Sequence, residues 1–251
     1  MIIKSKLYLA IMVCFASSLQ VLGQTPAKPL YVIVHGAWGG SYAFKKVDSI
    51  LTSKGCKVYR PSLTGQGERA HLATAEVNLS LHIKDVINQI LYEDLHDVIL
   101  VGHSYGGMVI TGVADSIPER IKSMIYVDAL LPNDGESLAQ VFGGGFTAMI
   151  KNAVSGFLVP AWVKADQPLP KDVPQSVQTF TEPLHLKRGT STIPTKYILT
   201  VAKGTAPEKD DFASQAARAK QRKIPVELLE ADHNPQVTAI VPFAELLYRY
   251  R

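Results

Sequence analysis

The sequence predicts an α/β fold, a mostly parallel, doubly wound sheet carrying a helical cap insertion. Three observations lead there. Short β-branched apolar runs alternate with helix-periodic segments, and no hairpin signal joins neighbouring runs, which is the pattern of a parallel sheet wrapped by helices. At "VGHSYGGMV", 101–109, an apolar run passes into a helical pattern through a serine set among glycines. The rhythm then breaks between about 132 and 193, a stretch too long for an ordinary loop and better suited to a cap.

The elements follow in order. "PLYVIVHG" reads as a buried strand, and "SYAFKKVDSILTSKG" as a helix with Phe44, Val47, Ile50 and Leu51 on one face and Gly55 as its stop. "CKVYRPSL" is the next strand. The loop "TGQGERAHLATAEVN" leads to a helix on which Ile83, Val86, Ile87, Ile90 and Leu91 share a face. "DVILVG" is the third strand, "YGGMVITGVADSI" the helix after it and "IKSMIYVDAL" the fourth strand. The interrupted stretch holds "FGGGF", several prolines and no clear strand. The alternation resumes with "TKYILTVA", the helix "DDFASQAARAK", the strand "PVELLE", the turn "ADHNP" and a last helix from about Val237.

The first 23 residues stand apart. Lys4 and Lys6 precede an apolar run from Leu7, and small residues follow up to Gly23, the layout of a secretory signal peptide. The run has about sixteen residues and is diluted by Ser17, Ser18 and Gln20, short of the ~20 that a spanning helix needs. The expectation is cleavage, a secreted or periplasmic protein, and no stable membrane anchor. Residues 24–251 then form a single domain with its cap insertion. Losing Lys4 and Lys6 lowers the formal charge from +4 to +2, which gives no reason to expect a nucleic-acid partner. Only Cys56 of the two cysteines remains, so the mature chain has no internal disulfide and depends on its core, with 47% of the whole sequence apolar.

"GHSYG" fits the Gly-x-Ser-x-Gly nucleophile elbow, in which a tight strand-to-helix turn raises the serine above the sheet. Here it follows "VILV" and opens a helix, the context the motif requires. A serine hydroxyl needs a base. His233, in the turn after the last strand, is placed to supply it, whereas His35 lies in the first turn and His103 inside the elbow. His71, His82, His96 and His185 read as loop or polar-face residues. An oxyanion hole needs two N–H donors. They are expected from Tyr105, after the serine, and from Ala37 in "HGAWGG", a turn that lacks the spacing of a phosphate loop.

On these residues the chain resembles the α/β-hydrolases, and among them the small bacterial serine esterases grouped with plant methylesterases and hydroxynitrile lyases. The resemblance runs through "LYVIVHGAWGG", "RPSLTGQGERAHL", "VNLSLHIKDV", "LVGHSYGGMV", "YVDALLPNDGES" and "FASQAARAK", most of the mature chain apart from the cap. Many relatives place the triad acid after the strand matching "TKYILTVA", where this chain has Lys203. Asp128, ending the fourth strand at the sheet edge where such folds bind ligands, is the preferred acid, and Asp210 and Asp211 are the alternatives.

The implied function is hydrolysis of a small, fairly apolar ester by Ser104, His233 and Asp128 through an acyl-enzyme. No metal or organic cofactor is implied, and the partner is the small-molecule ester. Trp38, Phe142, Phe146 and Trp162, with Phe157, are expected to line the pocket or pack the cap. Cyanohydrin cleavage is the rival chemistry. The lyases carry a lysine after the catalytic histidine and a threonine in the first turn, where this chain has Asn234 and Gly36. A third possibility is a ligand-binding protein on a retained hydrolase fold. Neither the natural ester nor the oligomeric state has a signature in the sequence.

Overall fold

The computed structural model describes residues 28–251 apart from 165, 190 and 191, so the expected signal peptide, 1–23, lies outside the described residues. The first half alternates β1 (Leu30–Val34), α1 (Lys45–Ser53), β2 (Lys57–Tyr59), α2 (Leu79–Tyr92), β3 (Val98–His103), α3 (Gly106–Ser116) and β4 (Ile121–Val127). The cap region holds α4 (Leu138–Phe142), α5 (Gly144–Lys151), β5 (Phe157–Leu158), β6 (Gln175–Ser176) and α6 (Gln178–Thr181). Then come β7 (Thr195–Val201), α7 (Ala213–Gln221), β8 (Val226–Glu230), α8 (Pro235–Thr238) and α9 (Ile240–Arg249).

Six strands form one sheet in the order β2-β1-β3-β4-β7-β8, and every pairing is parallel. Both faces are covered, which explains why the strands read as continuous apolar runs rather than alternating ones. Val32, Leu100, Met124 and Leu199 point to one face, beneath Val86 of α2, Val109 and Val113 of α3 and Ala219 of α7. Their neighbours Ile33, Ile99, Ile125 and Ile198 point to the other, beneath Val47 and Leu51 of α1 and Phe243 and Leu247 of α9. Burying each such aliphatic side chain contributes about 1.5–3 kcal/mol. Two hydrophobic layers therefore hold the sheet rigid beneath its C-terminal strand ends.

Two expectations change in detail. The last helix is broken at Ala239 (φ −135°, ψ 44°) into α8 and α9, because Pro242 would clash with the Thr238 carbonyl in a continuous helix but fits the first turn of a new one. The cap is less helical than expected, since β5 and β6 pair as a two-residue antiparallel ladder. That short pairing brings residues 172–180 back against the body. There the Val173 N–H donates to the Trp38 carbonyl at 2.9 Å, and the Ser176 hydroxyl donates to the Ala75 carbonyl at 2.7 Å.

Candidate active site

Ser104 sits between the last residue of β3 and the start of α3 with φ +54°, a left-handed conformation that a side chain disfavours by roughly 1–3 kcal/mol. Local bonding holds it there. Its N–H donates to the Val127 carbonyl at 3.2 Å, and its own carbonyl accepts from Gly107 at 3.0 Å and Leu130 at 3.1 Å. The glycines answer a space requirement. A Cβ on Gly106 would lie 2.7 Å from the Val34 carbonyl oxygen, and one on Gly107 would overlap the Leu130 carbonyl.

Asp128 follows β4 directly and is also left-handed, at φ +45°. Its N–H donates to the Ile198 carbonyl at 2.8 Å, which turns the side chain inward, and it is 1% exposed. One carboxylate oxygen, Oδ1, accepts the Thr200 N–H at 3.2 Å. The other, Oδ2, lies 2.6 Å from His233 Nδ1. On the far side of the ring, His233 Nε2 lies 3.0 Å from Ser104 Oγ. A proton on Nδ1 satisfies the carboxylate, leaving the Nε2 lone pair facing the hydroxyl. A buried carboxylate with two donors avoids the cost of an unpaired interior charge.

His233 is held from two sides. The Phe212 ring stacks on it with centroids 4.8 Å apart and an interplanar angle of 11°. Behind it, His103 Nε2–H donates to the His233 carbonyl at 2.7 Å. Burial and the neighbouring His233 push the His103 imidazole down to about 3, so it stays neutral and keeps that donor in place. The other acids have other work. Asp210 Oδ1 accepts the Phe212 N–H at 2.9 Å, and burial raises its carboxyl, with Asp128 adding to the rise. Asp211 and Lys203 are exposed.

The first turn packs on the elbow: a Cβ on Gly36 would lie 3.1 Å from Ser104 Cβ. His35 Nδ1–H donates to the Gly36 carbonyl at 2.7 Å, and its Nε2 accepts the Leu63 N–H at 3.1 Å. Burial lowers the His35 imidazole below its ordinary value, keeping it neutral in that role. The N–H groups of Ala37 and Tyr105 have no hydrogen-bond partner among the described residues. Tyr105 follows Ser104 directly and Ala37 follows the Gly36 that packs on it, so both free donors lie on the two turns that meet at the serine, the arrangement an oxyanion hole needs.

His82 is not a polar-face residue. It is fully buried: its Nδ1 accepts the Tyr105 hydroxyl at 2.9 Å and its Nε2–H donates to the Thr64 carbonyl at 2.9 Å. Burial pushes this imidazole down to about 4. Its face of α2 turns toward the elbow helix, so the histidine anchors the residue after Ser104.

The cap aromatic residues join into an arc from the first turn to the histidine. Ring centroids are 5.2 Å apart for Trp162 and Trp38, 5.4 Å for Trp38 and Phe180, and 5.2 Å for Phe180 and Phe146. The arc continues through Phe142 at 6.2 Å and Phe212 at 5.4 Å to His233. Phe157 lies on β5 and takes part in none of these ring contacts. The sequence led to the expectation that Trp38, Phe142, Phe146 and Trp162 line a pocket or pack the cap; all four stand in this arc, and Phe180 and Phe212, which join it, were not singled out. The position of Phe212 at the start of the helix after β7, on the sheet's ligand-binding side, was the available signal. Among the described residues no cluster of His, Cys, Asp and Glu has the makings of a metal site. Cys56 is buried away from the site, and burial raises its thiol.

A parallel sheet with a serine elbow after β3 and a histidine after its last strand is the architecture of the α/β hydrolases. The chain belongs to this family: the model described as "Alpha/beta hydrolase family" matches residues 31–246. A carbendazim hydrolyzing esterase from Nocardioides sp. (strain SG-4G) is 41% identical over 190 residues, covering 67% of this chain and 78% of the relative. Methylesterase 2 of Arabidopsis thaliana is 26% identical over 118 residues, 46% of this chain and 45% of the relative. A solved extracellular α/β-hydrolase from a Paenibacillus species, described as sharing structural and functional homology with tobacco salicylic acid binding protein 2, superposes with a TM-score of 0.76 at 24% identity. That superposition covers 88% of this chain and 98% of the other, and it shows the shared fold. An alpha-hydroxynitrile lyase of Arabidopsis thaliana also matches, 31% identical over 104 residues, 41% of this chain and 40% of the relative. The relative matched over most of its length is an esterase, and this chain is an enzyme of the esterase and hydrolase class.

Proposed function

We propose that the protein is a serine carboxylesterase acting on esters of small, fairly apolar acids or alcohols. The carbendazim hydrolyzing esterase and methylesterase 2 are named as esterases; the triad and the substrate class are the finer reading. Ser104 Oγ attacks the carbonyl carbon while His233 Nε2 takes its proton. Asp128 holds the Nδ1–H tautomer and stabilises the imidazolium. The Ala37 and Tyr105 N–H groups receive the oxyanion, the protonated His233 returns its proton to the leaving alcohol, and water then releases the acid. The observation that carries this reading is the hydrogen-bonded chain Ser104–His233–Asp128, at 3.0 and 2.6 Å, beside two unpaired N–H groups. The aromatic arc supports an apolar, ring-compatible substrate.

Cyanohydrin cleavage is disfavoured by the same geometry. Asn234 stands at the start of α8, its Oδ1 accepting from Gln236 Nε2, where the lyases have a lysine, and a Cβ on Gly36 would already lie 2.9 Å from His103 Nδ1, leaving no space for threonine. Secretion after removal of residues 1–23 belongs to the same proposal, and the intact mass of protein from its native host tests it. Purified protein should hydrolyse p-nitrophenyl acetate, and Ser104→Ala should remove nearly all of that rate. Equal rates in the two proteins would end the serine mechanism, absence of turnover would favour a binding protein, and rapid cyanide release from mandelonitrile would favour the lyase.

A further inference from the structure

The turn that presents the Ala37 N–H is bonded to the cap through Trp38. Trp38 has φ +62°, a conformation an indole-bearing residue holds only under constraint. All three of its polar groups are bonded to cap residues. Its N–H donates to Gln175 Oε1 at 2.7 Å, its carbonyl accepts the Val173 N–H at 2.9 Å, and its indole N–H donates to the Leu158 carbonyl at 3.1 Å. Gln175 is the one side chain among these cap partners, and it is 1% exposed. Its amide has a single workable orientation. The Thr179 hydroxyl donates to the Ser176 carbonyl at 2.7 Å and so must accept from Gln175 Nε2, at 2.8 Å. Oε1 is thereby directed at Trp38. With the Gly36 carbonyl fixed by His35 at 2.7 Å, the peptides on both sides of Ala37 are pinned.

We propose that Gln175 is a positioning residue of the oxyanion hole: the cap, through this one amide, sets the backbone conformation that aims the Ala37 N–H. The inference rests on the esterase reading for the role of Ala37. A donor that is misaimed rather than absent acts mainly on the charge developing in the transition state. The loss therefore falls on kcat.

The test uses Gln175→Met, which keeps length and apolar volume but has no acceptor for the amide. The Trp38 backbone amide, followed by hydrogen exchange in NMR, should exchange at least about ten-fold faster, because a buried hydrogen bond is its protection. On an aryl acetate, kcat should fall about 10- to 100-fold, less than the ~10²–10³ for deleting a donor outright, with KM within about three-fold. Gln175→Glu keeps an oxygen toward Trp38 and, with the Thr179 hydroxyl turned from the Ser176 carbonyl to donate to its second oxygen, should recover most of both losses. Should Gln175→Met not fold, Gln175→Asn gives the same readings, since its shorter amide cannot reach. Glu182→Ala is the control. Glu182 staples the cap to the Ser80 N–H and hydroxyl at 2.8 and 2.6 Å without touching the turn, so Trp38 exchange and kcat should stay as in wild type. Unchanged Trp38 exchange in an active Gln175→Met enzyme overturns the inference alone. So does faster exchange with kcat intact, or a loss confined to KM. A wild-type protein without ester turnover overturns the esterase reading and the catalytic half of this inference together.

Discussion

Asp128→Asn isolates what the buried carboxylate contributes, and the structure determines what each orientation of the amide would cost. In the wild type Oδ1 accepts the Thr200 N–H at 3.2 Å and Oδ2 faces His233 Nδ1 at 2.6 Å. Asparagine has one acceptor. If its oxygen stays on Thr200, its NH₂ faces Nδ1, donates to it, and shifts the imidazole proton to Nε2. Nε2 then points a hydrogen at Ser104 and cannot take the serine proton. The flipped amide restores the tautomer but sets two N–H donors against each other beside Thr200, leaving a buried donor unsatisfied at about 1–3 kcal/mol. Neither orientation provides the charge that stabilises imidazolium. In serine proteases the same substitution lowers turnover about 10⁴-fold, equivalent to about 5.5 kcal/mol of transition-state stabilisation. The expected result here is a fall in kcat/KM of at least about 10²-fold, with near-wild-type thermal unfolding because the shape is kept. Steady-state kinetics on an aryl acetate, paired with circular dichroism melts, measures both. An Asp128→Asn enzyme within ten-fold of wild type, with Asp210→Asn strongly impaired, would refute the assignment and return the role to Asp210.

Two further outcomes follow from the same structure. His103 is pushed down to about 3 and His82 to about 4 by burial, and His35 is lowered in the same direction; unfolding returns each to about 6.5. Below that pH the unfolded chain binds more protons than the folded one, so stability is fully present above about 6.5 and is lost as pH falls toward 4. The loss reaches about 1.4 kcal/mol per pH unit for each histidine, and urea midpoints between pH 7.5 and 5 check it; a flat or rising midpoint on acidification would contradict it. Phe212→Ala removes the ring stacked on His233 and should lower kcat while also loosening apolar substrates, so kcat/KM should fall more for aryl than for methyl esters; equal losses would deny the ring a part in the pocket.

The six strands of the main sheet, their parallel sense and the elbow were legible because each follows from a short-range pattern; the strand order was not. Continuous apolar runs mark strands buried on both faces, and "GHSYG" has meaning only where an apolar strand becomes a helix. Asp128 could be singled out because an acid ending an apolar strand has no solvated role. The cap obeyed no such period. Phe180 and Phe212 are ordinary apolar residues until the chain path brings them beside Trp38 and His233, and Gln175 is a polar residue in a proline-rich stretch until β6 carries it to the first turn. His82 was misplaced for a related reason: helical periodicity identifies the main apolar stripe of α2, but a buried histidine satisfied by Tyr105 and Thr64 lies beside that stripe and looks polar. The break at Ala239 did carry a signal: Pro242 in "VTAIVPF" has no N–H to give the Thr238 carbonyl and its ring collides with that carbonyl in a continuous helix, so one unbroken helix from Val237 overlooked it.

Nucleophilic catalysis by Ser104 requires a covalent bond at its Oγ. Incubating the folded protein with a fluorophosphonate probe and mapping the labelled peptide by mass spectrometry tests that bond without depending on the choice of ester. The predicted result is one adduct per chain, on Ser104, slowed sharply in His233→Ala and absent in Ser104→Ala. Labelling at another residue, or a folded wild-type protein that takes no label while turning over esters, would contradict it.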